Sequence, residues 1–236
     1  MNSTRLPGKV MLKILQKPII HHIFDRLNHC KQLDLTVIST GPYNLNKEIF
    51  DYAEKNELPI FSGSETDLIS RLYETGLKYN ANAIVRITSD CPIIDPKIID
   101  NLIIFYKENY DKYDIVTNCK KHTFPHGLDV EIYSIKTLKK LHTEIKDLEF
   151  REWFPLYVQK YPNHFKIFNI ENKSDLSHLR LTLDYEDDFK LIKQIYEKIN
   201  SKIFYLDDVL EILQKNPHLI KINQKYVNHR NIDAPK

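Results

Sequence analysis

Apolar residues recur at helical spacing from Ile19 through Ile23 to Leu27, with Phe24 beside them, and Pro18 opens the run, which predicts an amphipathic helix entered after that proline. LDLTVIST, residues 33–40, predicts a short strand closed by Gly41-Pro42. Helices and strands then alternate: a helix over 47–55, a brief strand in LPIFSG up to Gly63, a helix over 64–78, and the strand AIVRITSD, whose carboxyl end reaches Asp90. That alternation predicts an α/β fold, a doubly wound, mostly parallel sheet that binds ligands at the carboxyl ends of its strands. A helix follows Asp95-Pro96 and runs to about Asn109. Strands are predicted in DIVTN, GLDVEIYS, HFKIFNI and HLRLTL, and helices in SIKTLKKLHTEI, FREWFPLYVQKYP and DYEDDFKLIKQIYEKI. A last helix lies in YLDDVLEILQKNPHLIKIN, before a polar end expected to lack regular structure. With no repeat and no low-complexity linker, the main domain is placed at 1–200, and 201–236 is read as a C-terminal helix with a polar tail.

Composition narrows the class. The chain has 236 residues, 42% hydrophobic and 28% charged, enough apolar surface for one core. It contains no continuous apolar 20-mer and no apolar run after its first basic residues, so neither a membrane span nor a secretory leader is expected. Cys30, Cys91 and Cys119 are odd in number and far apart, which fits a reducing cytoplasm. Lys and Arg number 34 against 32 Asp and Glu, for a net charge of +2. That balance disfavours nucleic acid as the main partner.

Four stretches carry candidate chemistry. STRLPGK, residues 3–9, offers backbone N–H groups around Ser3, Thr4 and Gly8 and two cations, Arg5 and Lys9, to a phosphate chain, with Pro7 restricting the loop. It lacks the GxxxxGK[ST] spacing of a P-loop, and the bland alternative is a polar tail. In RITSDCPIID, Asp90 follows a strand end, where a hard carboxylate suits Mg²⁺; the alternative is an Asx turn before Pro92. Asp95 reads as a helix cap. In HLRLTLDYEDDF, Asp187 and Asp188 suit a helix N-terminus, while Asp184 lies ahead of it and is placed to share one metal with Asp90. In FPHGLDVEIYS, Gly127 allows close approach of backbone to ligand, and Asp129 and Glu131 share a strand face, fit to grip polyol hydroxyls or a metal, or simply to meet solvent. His21 and His22 read as packing residues, and Cys91 has no assignable histidine that would make it a nucleophile.

Taken together, STRLPGK, SGSETDLISR, VRITSDCPIIDP, FPHGLDVEIYS, FREWFPLYV and LRLTLDYEDDF resemble, in order and over residues 1–198, the cytidylyltransferase family that includes the spore-coat polysaccharide type. That family is related to the enzymes making CMP-activated sialic, legionaminic and deoxyoctulosonic acids. The resemblance implies a nucleotide-diphospho-sugar transferase-like fold whose opening loop, with Ser3, Arg5, Gly8 and Lys9, holds the triphosphate of CTP. By the same likeness Asp90 and Asp184 hold Mg²⁺, Arg5, Lys9 and Asp90 act in catalysis, Gly63, Asp67 and Arg71 line the nucleotide and sugar cleft, and Asp129 and Glu131 lie beside the acceptor sugar. The implied activity is transfer of CMP from CTP to a sugar acid of the nonulosonic or 2-keto-3-deoxy type, with release of pyrophosphate, for cell-surface polysaccharide. CTP and the sugar acid are then the partners, with no nucleic acid or membrane, and a homodimer is kept as an option for the assembly. Two alternatives stay open: transfer to another sugar or polyol phosphate, and an inactive α/β domain with a binding role. The sequence departs from the family pattern in two places. A hydrophobic first strand that usually runs into MNSTRLPGK is expected to be absent from the centre of the sheet, and Trp153 stands in REWF where the pattern has an imidazole.

Overall fold

The computed structural model describes residues 5–199 and 201–229. Ser3 and Thr4 lie outside the described residues. A two-stranded antiparallel hairpin, β1 (Lys13–Ile14) and β2 (Lys17–Pro18), leads into α1 (Ile19–Leu27), which buries Ile19, Ile20, Ile23, Phe24 and Leu27, the stripe its spacing predicts. Next come β3 (Ile38–Thr40), α2 (Tyr43–Lys55), β4 (Ile60–Ser62), α3 (Leu68–Lys78) and β5 (Ala83–Arg86). Then α4 (Pro96–Glu108), β6 (Ile115–Thr117), β7 (Glu131–Ser134), α5 (Ile135–Glu144), α6 (Leu148–Glu152), α7 (Phe154–Lys160), β8 (Ile167–Asn169), α8 (Glu186–Lys198) and α9 (Leu206–Lys215) complete the order. Asp95 caps α4 as its position suggests, accepting from Lys97 N at 2.7 Å, and also accepts from Leu206 N at 2.6 Å, which ties the start of α9 to the start of α4.

The expectation of a mostly parallel sheet is corrected: the sheet is mixed. Strands β3 and β4 pair in parallel, whereas the larger sheet has the order β5–β7–β6–β8, with β7 antiparallel to both neighbours and only β6–β8 parallel. The cause is the connection between β6 and β7. Residues 118–130 contain no helix that could carry the chain back over a face of the sheet, so β7 returns in the opposite direction. HLRLTL is a second correction. It forms one isolated bridge, Arg180 to His126, instead of a ladder. Its backbone is satisfied by two loops: Leu181 N donates to His126 O at 2.7 Å and Leu183 N to Asp90 O at 2.9 Å. Gly127 permits this approach, because a Cβ there would lie 2.5 Å from Thr182 N, and its φ is +104°. The backbone it admits is thus that of residues 181–182.

The segment after α8 shares the main core: Phe204, Leu206, Val209, Leu213 and Leu219 join Ile93, Ile99, Leu102 and Leu181 in one buried cluster. Residues 220–222 and 224–226 form short 3₁₀ turns, so the start of the polar end has regular structure, while residues 230–236 lie outside the described residues.

Between the two sheets lies a cavity of about 850 Å³. Its walls are consecutive residues of the facing edges, 36–39 and 83–89, and its floor includes Ile23, Phe24, Ile103 and Ile132. Among the described residues β3 has no ladder partner besides β4, and β5 none besides β7. A residue of packed strand fills about 160 Å³, given about 3.3 Å of rise, 4.8 Å between strands and 10 Å between layers. The cavity therefore has room for about five residues of extended chain. An apolar segment of that length joined ahead of Met1 is expected to pair the two free edges and raise the unfolding midpoint by at least about 5 °C. Thermal unfolding of the extended and original chains checks this; equal midpoints would contradict the strand-shaped reading of the cavity.

Candidate active site

Gly8, with φ at 66°, turns the chain into a single 3₁₀ turn, Lys9–Met11, and so aims Lys9 inward. Lys9 Nζ lies 2.9 Å from Asp184 Oδ1 and 3.3 Å from Asp90 Oδ2. Arg5 Nη2 is 3.2 Å from the same Asp184 oxygen. Two carboxylates that are 94 positions apart in sequence are thereby brought to one ammonium. The backbone enforces the meeting, since Asp90 O accepts both from Leu183 N at 2.9 Å and from Thr182 Oγ1 at 3.1 Å. Thr88 Oγ1 donates to Asp90 Oδ1 at 2.5 Å and fixes the rotation of that carboxylate.

Burial works against charge on all three groups, and the pairing overcomes it. Desolvation alone would lift the Asp90 pKa, but Lys9 and the Thr88 hydroxyl hold it well below the usual carboxylate range. Asp184 is also desolvated and repelled by Asp90, yet Lys9 and Arg180 keep its pKa low. Lys9, though desolvated, has its pKa raised by Asp90 and Asp184. The cluster is fully charged at neutral pH.

Asp184 is itself held from behind. Arg180, with a side chain that is 0% exposed, donates Nη2 to Asp184 Oδ2 at 2.9 Å. Its Nε and Nη2 also grip Asp188 at 2.9 Å each. Asp188 in turn accepts from the backbone N–H groups of Asp184 and Tyr185 at 2.9 and 3.0 Å. Asp188 is therefore a buried organiser of this corner as well as an acid in the first turn of α8, which the sequence reading missed. The signal was the spacing Arg180, Asp184, Asp188.

The other candidate residues are placed separately. Asp67 caps α3, accepting from Ser70 N at 2.9 Å and from Arg151 Nε at 2.7 Å. Arg71 packs over Gly63, where a Cβ would meet Arg71 Cγ at 2.8 Å, and donates to Ser64 O at 2.5 Å and Glu65 O at 3.1 Å. Its Nε is buried without an acceptor, and the side chain lines the same cavity as Thr88 and Ser89 at the carboxyl end of β5. Asp129 lies 3.9 Å from His122 and 4.0 Å from His126. Glu131 is buried and paired with Arg86 and the Tyr133 hydroxyl, so it does not share an open face with Asp129. His22 Nε2 donates to Ile14 O at 2.9 Å from within the core, and burial pushes the Cys91 thiol up, as packing residues require.

The donor set can be tested against a metal. Two hard carboxylates converge on one cation, and no group of three or more His, Cys, Asp or Glu side chains forms a metal cage among the described residues. That is the donor set of a cation such as Mg²⁺ that takes one or two protein acids and completes its shell with substrate phosphates and water.

The family model described as cytidylyltransferase matches residues 1–219. The chain belongs to the cytidylyltransferase family. It is an enzyme, a CTP-dependent nucleotidyltransferase. It is 25% identical over 226 residues to the spore coat polysaccharide biosynthesis protein SpsF of Bacillus subtilis, covering 92% of each chain. Its fold superposes on a cytidylyltransferase structure from Leptospira borgpetersenii with a TM-score of 0.89 and 35% identity, over 93% of this chain and 92% of that one. A CMP:2-keto-3-deoxy-manno-octonic acid synthetase solved with CTP shares the fold at a TM-score of 0.61 and 14% identity, over 83% and 94% of the two chains. Among the described residues of this cytidylyltransferase no helix is long and apolar enough to cross a membrane.

The charge pattern fixes a pH dependence. Asp90 and Asp184 have folded pKa values below the unfolded value of about 3.9, so the unfolded chain binds more protons as pH falls through that range. Their stabilisation is present at neutral pH and lost in acid; that of Lys9 is present below about pH 10.4 and lost above it. The unfolding midpoint is expected to drop as pH falls below about 4, and Asp184→Asn to flatten that drop. An acid profile unchanged by Asp184→Asn would contradict the assignment of low pKa to this cluster.

Proposed function

We propose that this cytidylyltransferase transfers CMP from CTP to a hydroxyl of a sugar acid, of the nonulosonic or 2-keto-3-deoxy type, for cell-surface polysaccharide. The observation that carries the reading is the convergence of Lys9 and Arg5 on Asp90 and Asp184, just beyond the carboxyl end of β5. The acceptor oxygen attacks the α-phosphorus as the bond to the bridging oxygen of the β-phosphate breaks. Pyrophosphate leaves with that electron pair, and the hydroxyl proton departs as the new O–P bond forms. Arg5 and Lys9 supply charge-assisted donors to the triphosphate, and Gly8 keeps the backbone close to it. Mg²⁺, held by Asp90 and Asp184, would neutralise charge on the α-phosphate and leaving group.

Lys9 occupies the space between the two carboxylates, acting as their counter-ion. Asp90 and Asp184 would hold a divalent cation that supplies charge neutralisation, and the flexible stem of Lys9 would let its ammonium reach phosphate oxygens instead of the two acids. Gly63, Asp67 and Arg71, which lie together where Arg71 packs over Gly63, are given the role of lining the nucleotide and acceptor cleft. Asp129, beside His122 and His126, is the acid given to an acceptor hydroxyl, while Glu131 is paired with Arg86.

Asp90→Asn keeps the Thr88 contact and the local shape but removes the charge. It is expected to fold and to lower kcat for pyrophosphate release at least about 100-fold with Mg²⁺, CTP and an accepted sugar acid. Wild-type turnover by the variant would sink the assignment. In thermal-shift assays with Mg²⁺, CTP is expected to stabilise the wild type more than UTP, GTP or ATP; equal shifts would remove cytidine preference.

A further inference from the structure

The chain beyond α9 closes on the back of the acid cluster. Asn223, 2% exposed, donates its side-chain amide to Asp188 Oδ1 at 2.8 Å and to Arg180 O at 3.0 Å. The Tyr226 ring stacks flat on Tyr185, with centroids 3.9 Å apart and planes within 5°. His229 completes the contact, its Nδ1 lying 3.1 Å from the Tyr185 hydroxyl and its carbonyl accepting from Arg180 Nη1 at 3.4 Å. Lys225 adds an exposed ion pair to Asp187 at 3.0 Å. The Arg5 and Arg180 guanidinium groups lie 5.3 and 5.5 Å from the Tyr185 ring centre.

We infer that residues 216–229 form a positioning strap for the active site, in which Asn223 and Tyr226 set the orientation of the Asp184 carboxylate through Arg180, Asp188 and Tyr185. Three of the residues that hold Asp188, namely Arg180, Asp184 and Tyr185, precede α8; among the described residues the fourth, Asn223, is delivered from a later part of the chain. Without it, a fully buried carboxylate loses an acceptor pairing and Arg180 loses its carbonyl restraint. The guanidinium is then free to favour Asp188 over Asp184. Loss of the Tyr226 ring uncovers Tyr185, whose backbone N–H is bonded to Asp188 next to Asp184. Among the described residues no hydrogen bond or ion pair joins Asn223 or Tyr226 to Lys9 or Asp90, so their influence on the open side of the site passes through Asp184 and, by way of the Tyr185 ring, Arg5.

This inference rests on the reading of Asp184 as a metal-holding acid, and its test separates the two. The probe is Mn²⁺, titrated by electron paramagnetic resonance into the full chain with a CTP analogue carrying carbon between its α- and β-phosphorus, so no turnover is needed. Asn223→Ala and Tyr226→Ala are each expected to weaken Mn²⁺ binding about tenfold, with analogue binding measured without metal changed little, the scale expected when a partner of a metal ligand is removed. Tyr226→Phe keeps the stacked ring and is expected to restore Mn²⁺ affinity to within about twofold, which a loss from general destabilisation would not predict. Asp184→Asn is the control. If Asp184→Asn binds Mn²⁺ as the wild type does, the metal reading fails. If Asp184→Asn loses Mn²⁺ while folded Tyr226→Ala and Asn223→Ala bind it normally, the strap is overturned and the metal reading stands. Should Asn223→Ala not fold, the pair Tyr226→Ala and Tyr226→Phe decides alone: equal affinity in the two overturns the strap.

Discussion

The arrangement of this molecule turns on one buried ammonium between two acids. Asp90 and Asp184 repel each other and both are partly withdrawn from water, and Lys9 lowers the pKa of both. Lys9 for its part would lose its proton affinity to burial without them. The three groups hold one another ionised, and Arg5 adds a second cation on the Asp184 side. A pairing of this kind is weak evidence for net stability, because desolvation offsets most of the attraction. Its value lies in readiness. The acids are already charged and already converged on one cation, which is what the proposed transfer requires of them.

Irregular chain, more than regular structure, makes that convergence. Residues 178–183 alternate like a strand but lie extended between two loops, and the close approach that Gly127 allows lets their backbone bond to His126 on one side and Asp90 on the other. A regular ladder would have bound residues 178–183 to a neighbouring strand and left Asp184 without a reason to meet Asp90. The Arg180–Asp188 pair, sealed from solvent, then fixes the angle at which Asp184 emerges. The helix-start acids of α8 thus serve two ends: they suit the dipole of the helix, and one of them organises the corner beside the active site.

Much of this was legible in the sequence, because the helices announce themselves by spacing: Ile19, Ile23 and Leu27 in α1, and Leu191, Ile192 and Ile195 in α8, are buried as their periodicity requires. Asp90, Asp184, Arg5 and Lys9 were each visible as chemistry, and the ordered motifs pointed to the family. What periodicity could not convey was partnership. Glu131 reads as one half of an acid pair on a strand face, yet Arg86, four residues ahead of Asp90 in the neighbouring strand, takes it into the core. Asp188 reads as a routine helix-start acid, since nothing local shows that Arg180 and a distant Asn223 will enclose it. The direction of β7 was likewise hidden, because strand pattern fixes which face is buried and says nothing of which way the chain returns.

The central claim is that Lys9 stands in for a divalent cation between Asp90 and Asp184 and moves to phosphate when that cation binds. A crystal structure with Mg²⁺ and a non-transferable CTP analogue tests it most directly. The account predicts Mg²⁺ bonded to oxygens of Asp90 and Asp184, with Lys9 Nζ withdrawn from both and within hydrogen-bond distance of the triphosphate. A bound nucleotide with Lys9 still bridging the two carboxylates, and the metal held elsewhere, would contradict it.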